Sequence, residues 1–164
     1  MTIYFSKQGY QLHLKKTDEL EKELREIRGE THNMHESEGE SLESTPASNS
    51  IQQGAMPLEE RLQKLHAEKE AAQIIEYPKK VDVVCIGCTV DLKIDGKLGR
   101  YDILGYGETG SYKNAIAYSS PIVTAILGKI PGYTCVPKIN DTYKTIELLG
   151  LYPLEENNNN GNGK

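Results

Sequence analysis

Tryptophan and phenylalanine are scarce in this sequence, which limits the kind of core that it can build. The 164 residues include no tryptophan and one phenylalanine, Phe5, and 26% of them are charged. Buried aromatic rings contribute large apolar areas to most cores, so the composition argues against a large, aromatic-rich core. A long exposed helical element would produce this balance, because such a helix leaves most of its surface in water. The length allows one ordinary domain or two small ones.

Long apolar runs are missing as well. No stretch of the sequence approaches the roughly 18 apolar residues that a helix needs to span a bilayer. Residues 1–16 lack the apolar segment of about 7–15 residues that marks a secretory signal. We therefore expect a cytoplasmic protein with no membrane partner.

The sequence has no excess of positive charge. Its 19 lysines and arginines are outnumbered by 24 aspartates and glutamates, which gives a net charge of −5. General coating of nucleic acid needs a basic surface, so this composition argues against that class of function. It leaves open a partner protein that itself handles nucleic acid.

Cysteines are too few for a disulfide framework, since only Cys85, Cys88 and Cys135 occur. The spacing of Cys85 and Cys88 could indicate a metal knuckle or a redox pair. A closed zinc site normally needs four ligands, and no second pair of that kind lies near. Because both residues fall in the stretch 81–92, whose pattern is typical of a β-strand, we interpret them as buried strand thiols.

The first half of the chain has the pattern of a long helix. This helix is expected to begin near Ser6, a residue type that caps helix N-termini. Residues then recur at alternating spacings of three and four, which is the seam of a coiled coil with three polar interruptions. The seam consists of Tyr10, His13, Thr17, Leu20, Leu24, Ile27, Thr31 and Met34. We interpret its polar members as register devices or packing imperfections.

A second helix with a comparable leucine seam is expected over Pro57–Ile75. The segment between the two helices, residues 35–54, is poor in helix formers and contains Pro46 and two glycines, so it must hold a reversal. Two matching seams joined by a turn predict an antiparallel hairpin over residues 1–77, with its tip near residues 37–55. An arm of roughly 30 residues would be on the order of 45 Å long. That shape suits a probe or a spacer and leaves no room for a pocket.

The composition changes near Tyr77-Pro78, and residues 78–153 predict a small α+β domain. A strand ends at Asp95-Gly96, which is a strong hairpin signal, and a last hairpin is predicted around Asn140-Asp141. The tail, residues 154–164, is low in complexity and is expected to be disordered.

A short helix is predicted within residues 119–132. Ser119 or Ser120 would cap it, Pro121 would occupy its first position, and Gly128 would lie near its end.

Several segments, taken in order, resemble the GreA/GreB family of transcript-cleavage factors, over about residues 3–152. The principal match begins at Ser119-Ser120-Pro121-Ile122 and continues through Ala125-Ile126-Leu127-Gly128-Lys129 to Gly132. Supporting matches are Ser6-Lys7-Gln8-Gly9-Tyr10, Ala72-Gln73-Ile74-Ile75, Ile86-Gly87-Cys88-Thr89-Val90 and Glu108. Their order and spacing together make the match specific.

The resemblance implies an α+β protein with an N-terminal antiparallel α-helical coiled-coil hairpin, followed by a small FKBP-like antiparallel β-sheet domain with one short helix. It implies that the C-terminal domain docks on RNA polymerase and that the coiled coil enters the secondary channel. There the factor would stimulate cleavage of backtracked RNA. The polymerase performs the hydrolysis, so the factor itself is not an enzyme. RNA polymerase is the implied partner, contact with the RNA 3′ end and with DNA is indirect, and the factor acts as a monomer.

The resemblance also implies site residues. Glu40 and Glu43 stand at the acidic pair of the family's tip, where they would share a second Mg²⁺ with the polymerase, and no cofactor is bound stably. Their i,i+3 spacing puts both on one face of a helix. Mg²⁺ prefers oxygen ligands and often takes only one or two carboxylates from a given protein. Docking on the polymerase is implied for Glu108, Ser119, Ser120, Pro121 and Ile122.

Three other interpretations stay open. A Gre-like protein could occupy the channel and regulate or inhibit the polymerase without stimulating cleavage, which the additional acids Glu36 and Glu38 would fit. Peptidyl-prolyl isomerase activity would follow from the FKBP-like fold, but fold does not supply function. That activity needs an aromatic-lined pocket, and the sequence has no tryptophan and a single phenylalanine at position 5. Metal binding at His32 and His35, with Glu36 nearby, would need a further ligand.

Overall fold

The structure, a computed structural model, describes residues 2–37 and 46–154; the side chains of residues 30–37, 46–55 and 111 are outside that description. The chain is a mixed helix and sheet protein with two compact units. One unit comprises Met1–Ile3 and Tyr10–Gln73, and the other comprises Tyr4–Gly9 and Ile74–Lys164. In the described part of the chain, no helix is both long and apolar enough to cross a membrane.

The first unit is built from two helices, α1 over Lys7–Ser37 and α2 over Pro46–Glu70. Within the predicted seam of α1, His13, Thr17, Leu20 and Leu24 are buried, and Tyr10 and Ile27 are half-buried. The His13 imidazole Nε2 lies 3.0 Å from the Leu65 carbonyl oxygen of α2. Thr17 donates its hydroxyl to the His13 carbonyl at 2.9 Å. The polar seam residues are therefore hydrogen-bonded, which removes the cost of burying them.

Contacts between the two helices follow the order of antiparallel neighbours. His13, near the start of α1, meets Leu65 near the end of α2. Farther along α1, an Arg28 guanidinium nitrogen lies 2.5 Å from a Glu59 carboxylate oxygen, which is earlier in α2. The prediction of two paired helices in the first half of the chain therefore agrees with these contacts.

The predicted bounds of the second helix were wrong at both ends. It begins at Pro46, so Pro57 lies inside the helix instead of starting it. It ends at Glu70, and Ala72–Ile75 is a strand, β2. This strand pairs with β1, Ile3–Ser6, near the start of the sequence. The partner of β2 is about 70 residues away, so the local sequence pattern could not reveal the strand.

The second unit contains a five-stranded sheet. Its strands are β3 over Cys88–Ile94, β4 over Lys97–Leu104, β5 over Ala115–Ala117, β6 over Thr134–Cys135 and β9 over Ile146–Pro153. Their order across the sheet is β5-β4-β3-β9-β6. Neighbouring strands are antiparallel, except that β5 runs parallel to β4. One face of the sheet carries the core, which includes Val90, Leu92 and Leu148 at 0% exposure.

Two of the predicted turns are confirmed. Asp95 and Gly96, with φ of 49° and 84°, join β3 to β4 in the two-residue turn that the sequence predicted. Asn140 and Asp141 also have positive φ, and they join two very short strands, β7 over Lys138–Ile139 and β8 over Thr142–Tyr143.

The predicted last hairpin continues beyond β7 and β8 in the same register, because Thr134 and Cys135 of β6 pair with Glu147 and Ile146 of β9. The predicted strand that contains the first two thiols needs correction. Strand β3 begins at Cys88, so Cys85 precedes the strand, in a turn where Gly87 has a φ of 83°. A positive φ suits glycine and breaks an extended strand at that residue. Only Cys88 is therefore a buried strand thiol, and Cys85 is half-buried.

The predicted short helix is confirmed as α3 over Pro121–Ile126. Ser120 is its N-cap and accepts a hydrogen bond from the Val123 amide at 3.3 Å, and Pro121 follows in the first turn. Val123 and Ile126 are fully buried and anchor α3 on the core. The predicted tail, residues 154–164, lies outside the described residues except for Leu154.

Candidate functional site

The predicted acidic tip lies outside the described part of the chain. Glu40 and Glu43 fall in the gap between residues 37 and 46, and the side chains of His32, His35 and Glu36 are not described either. Among the residues that the structure does describe, no group of three or more histidine, cysteine and acidic side chains could hold a metal ion. The metal-sharing role of Glu40 and Glu43 stays a prediction.

The predicted docking segment lies at the surface around the start of α3. Ser119 and Pro121 are exposed, whereas Ser120 and Ile122 are half-buried. Ser120 is held by its capping bond, and Ile122 packs against the core. The segment therefore combines a fixed backbone with two exposed side chains.

The structure adds exposed apolar side chains to this surface that sequence reasoning missed. They are Val83, Leu127 and Ile130, with exposed fractions of 42%, 45% and 60%, and we call them the apolar rim. The Val84 amide donates to the Lys129 carbonyl at 2.9 Å, and Val84 in turn accepts from the Gly128 amide at 2.8 Å. These bonds bring Val83 beside the loop that follows α3. A contact between segments 45 residues apart gives no signal in the local sequence.

Glu108 is at a different kind of position from the other predicted docking residues. It is 2% exposed, and its carboxylate accepts hydrogen bonds from two hydroxyl groups. Ser6 donates to Oε1, and Tyr77 donates to Oε2. The Ser6 oxygen accepts the Gly9 amide at 3.0 Å, and the Tyr77 oxygen accepts the Gly105 amide at 2.9 Å. We call these five residues the Glu108 cluster.

Glycines leave the room that the Glu108 cluster occupies. A Cβ added at Gly9 would lie 2.7 Å from the Glu108 Cγ. One added at Gly105 would lie 3.1 Å from the Glu108 Oε2 and 3.1 Å from the Ser6 amide nitrogen. Burial and the adjacent Glu108 carboxylate raise the pKa of the Tyr77 hydroxyl, so it keeps the proton that it donates. The surface that Glu108 offers to a partner is small, and its contacts are internal to this cluster.

The two neighbouring thiols, Cys85 and Cys88, belong to no group of three or more possible metal ligands among the described residues. Burial raises the pKa of Cys88 to about 12 and also raises the pKa of Cys85. Both thiols are therefore protonated near neutral pH, which makes them poor nucleophiles.

Comparisons with known proteins match the second unit to one family. Residues 78–152, slightly less than half of the chain, match the family model described as "Transcription elongation factor, GreA/GreB, C-term". The transcription elongation factor GreB of Haemophilus ducreyi is 34% identical to this chain over 74 residues. That match spans 44% of this chain and 46% of the GreB sequence.

Solved structures align with more of the chain at lower identity. The GreA factor homolog 1 (Gfh1) of Thermus thermophilus is 17% identical, with a TM-score of 0.42, over 93% of this chain and 99% of its own. A GreA/GreB factor from Nitrosomonas europaea is 15% identical, with a TM-score of 0.37, over 93% of this chain and 98% of its own. Likenesses at this level are too distant to assign a function.

Proposed function

We propose that this chain, whose residues 78–152 are a domain of the GreA/GreB C-terminal type, is a transcription elongation factor that acts on RNA polymerase in the cytoplasm. The family match over the sheet unit is the observation that carries the proposal. In this proposal the sheet unit is an FKBP-like domain that docks on the polymerase. The factor works as a monomer and leaves the chemistry to the polymerase.

The surface around the start of α3 supports the docking role. Exposed Pro121 lies close in sequence to Leu127 and Ile130 of the apolar rim. Energetically important residues of interfaces cluster at apolar positions that a partner can desolvate. Because the backbone here is held by the Ser120 cap and by the bonds to Val84, this surface loses little conformational freedom on binding.

The helical unit would be the part that reaches into the polymerase. We propose that α1 and α2 form a coiled-coil hairpin that enters the secondary channel. With 31 residues in α1, a rise of about 1.5 Å per residue gives a length of about 46 Å. A slender pair of helices of this length suits insertion into a channel better than enclosure of a substrate.

The acidic pair would act at the end of the hairpin. Mg²⁺ prefers oxygen ligands such as carboxylates. Glu40 and Glu43 therefore have the right chemistry to bind one ion jointly with the polymerase. When bound, such an ion activates the attacking water and neutralises charge on the phosphate. The part played by this chain would be to deliver two carboxylates to the place where the ion is held.

A second function from the same family is a channel-occupying regulator that does not stimulate cleavage. The observation that favours it is the presence of further acids, Glu36 and Glu38, just before the predicted pair. Additional negative charge there would repel an RNA 3′ end and would not improve an ion site that needs only two carboxylates.

RNA cleavage in backtracked elongation complexes tests the proposal. The wild type should shorten the RNA, and the Glu40→Ala/Glu43→Ala variant should lose this stimulation by at least about 100-fold, because the transition state loses the charge stabilisation of the ion. A matched control is Glu23→Ala/Glu26→Ala, which removes an exposed acidic pair at the same i,i+3 spacing on α1. Full stimulation by the control is expected. If wild type binds the polymerase but slows synthesis without cleavage, the regulator function replaces the first one.

A further inference from the structure

The chain connects its two units through two segments, and both segments contribute to the Glu108 cluster. Tyr4–Gly9 belong to the sheet unit, and the chain then enters the helical unit at Tyr10. It returns to the sheet unit at Ile74. Ser6 lies in the first connecting segment, residues 4–9, and Tyr77 lies in the second, residues 74–77. Glu108 accepts a hydrogen bond from each of them.

We infer that Glu108 is a positioning residue, which holds both connecting segments to the loop after β4. This inference rests on the proposed function for its consequence in transcription, while its effect on the two segments can be measured in the free protein. It differs from the docking role that the sequence suggested for Glu108, because the residue would act through Ser6 and Tyr77 and would not touch the polymerase.

The donors and acceptors of the cluster explain why a carboxylate is needed. A hydroxyl group has one proton to donate, and Ser6 and Tyr77 each give theirs to a different oxygen of Glu108. Their own oxygens accept amide protons, from Gly9 on one side and Gly105 on the other. Two series of hydrogen bonds, one through Ser6 and one through Tyr77, therefore end on the Glu108 carboxylate. Since Glu108 is 2% exposed, water cannot easily replace these partners if the carboxylate is removed.

The glycine at position 9 leaves room for the Glu108 side chain at a cost to local helix stability. Gly9 lies in the first turn of α1, and glycine weakens helices. Any larger residue would bring its Cβ to 2.7 Å from the Glu108 Cγ. Space for the buried carboxylate is therefore the physical reason for a glycine here.

The effect on transcription follows from the separate tasks that the proposed function gives to the two units. If the sheet unit holds the polymerase and the helical unit acts at its far end, the two connecting segments are the covalent route between them. Releasing both segments should reduce action at the tip more than it reduces binding through the sheet unit.

Glu108→Gln and Tyr77→Phe test the inference in the full-length chain, with Asp102→Asn as the control. Asp102 also accepts a hydroxyl hydrogen bond, from Thr89 at 2.7 Å, but this bond joins β4 to β3. Amide hydrogen exchange is measured at Gly9 and Gly105, with the amides of β3 as an internal reference. In Glu108→Gln, exchange at both glycines should accelerate about tenfold or more while β3 is unchanged, as expected for the loss of buried hydrogen bonds to a charged group. Tyr77→Phe, which removes one arm of the cluster and is the milder change, should accelerate Gly105 more than Gly9.

Equal acceleration throughout the sheet would overturn the inference, because Glu108 would then be a general stabiliser of the fold. No acceleration at either glycine would overturn it too.

The second readout is polymerase-dependent RNA cleavage at saturating factor. Glu108→Gln should lower the cleavage rate about tenfold and change the Kd for polymerase by less than about twofold. Asp102→Asn should leave both the rate and the Kd unchanged. If the wild type fails to act on polymerase at all, the proposed function fails, and the exchange data still decide whether Glu108 holds the segments.

Discussion

Gly150 lies at a crossing of side chains on the face of the sheet opposite the core. The Arg100 guanidinium donates to the two Asp91 carboxylate oxygens at 2.7 and 2.9 Å, and its Cζ lies 4.8 Å from the centroid of the Tyr152 ring. Tyr152 also hydrogen-bonds Asp91, and Arg100 is the main cause that lowers the pKa of the Asp91 carboxyl. A Cβ added at Gly150 would lie 2.9 Å from the Tyr152 ring and 3.0 Å from the Asp91 Oδ2. The absence of a side chain at Gly150 thus lets Tyr152 lie across the strand.

We expect Gly150→Ala to lower the free energy of unfolding by about 1–2 kcal/mol, because the new methyl group must displace the Tyr152 ring from Arg100 and Asp91. Urea denaturation measures the change. The same substitution in a Tyr152→Ala background should cost much less, since the ring that it collides with is gone. An equal loss in both backgrounds would mean that the backbone, and not the ring, sets the requirement for glycine.

At the scale of elements, α3 and the loop after it together form one surface, which neither of them could form alone. Helix α3 has only six residues, which is too short to be stable alone. It is held by its Ser120 cap and by burial of Val123 and Ile126. The loop that follows is held by backbone bonds to Val84. This arrangement keeps exposed Ile130 in a defined place.

Ile130→Asp should weaken polymerase binding about tenfold or more, because a charge replaces an apolar contact that the partner would desolvate. The stability of the protein should change by less than about 0.5 kcal/mol, since Ile130 is 60% exposed. A matched control is Leu98→Asp on β4, where the leucine is 74% exposed. Binding is measured by titration of labelled polymerase. Similar losses for both variants would point to a general effect of negative charge and against this surface as the docking site.

Which elements could be predicted from sequence depended on whether their signals are local. Asp95-Gly96 and the Ser120-Pro121 cap carry their turn and cap chemistry in adjacent residues, and both were found. The start of α2 was missed because Pro57 resembles a first-turn proline, whereas the helix extends upstream through it to Pro46. The strand Ala72–Ile75 was missed because its partner is β1, which is about 70 residues earlier in the sequence.

At the scale of the whole molecule, the proposed function separates holding the polymerase from acting on its RNA. A variant that keeps the sheet unit and loses the acidic pair should therefore compete with the wild type. With Glu40→Ala/Glu43→Ala in tenfold excess at saturating total concentration, cleavage by the wild type should fall about tenfold, since the two proteins would share one binding site with equal affinity. Gel analysis of RNA from backtracked complexes measures this. A variant that also carries Ile130→Asp should compete poorly, and undiminished cleavage with either competitor would contradict the separation of the two roles.

The sequence by itself determined the two-part organisation, the seam of α1, the tight turns and the capped α3, because each depends on residues within a few positions of one another. It also carried the family match over residues 78–152. Only the tertiary structure decided the surroundings of Glu108, for which the family resemblance had implied a docking role. Its hydroxyl partners are 102 and 31 residues away, at Ser6 and Tyr77. Burial and hydrogen bonding between such distant segments arise from folding, and no local pattern of residues specifies them.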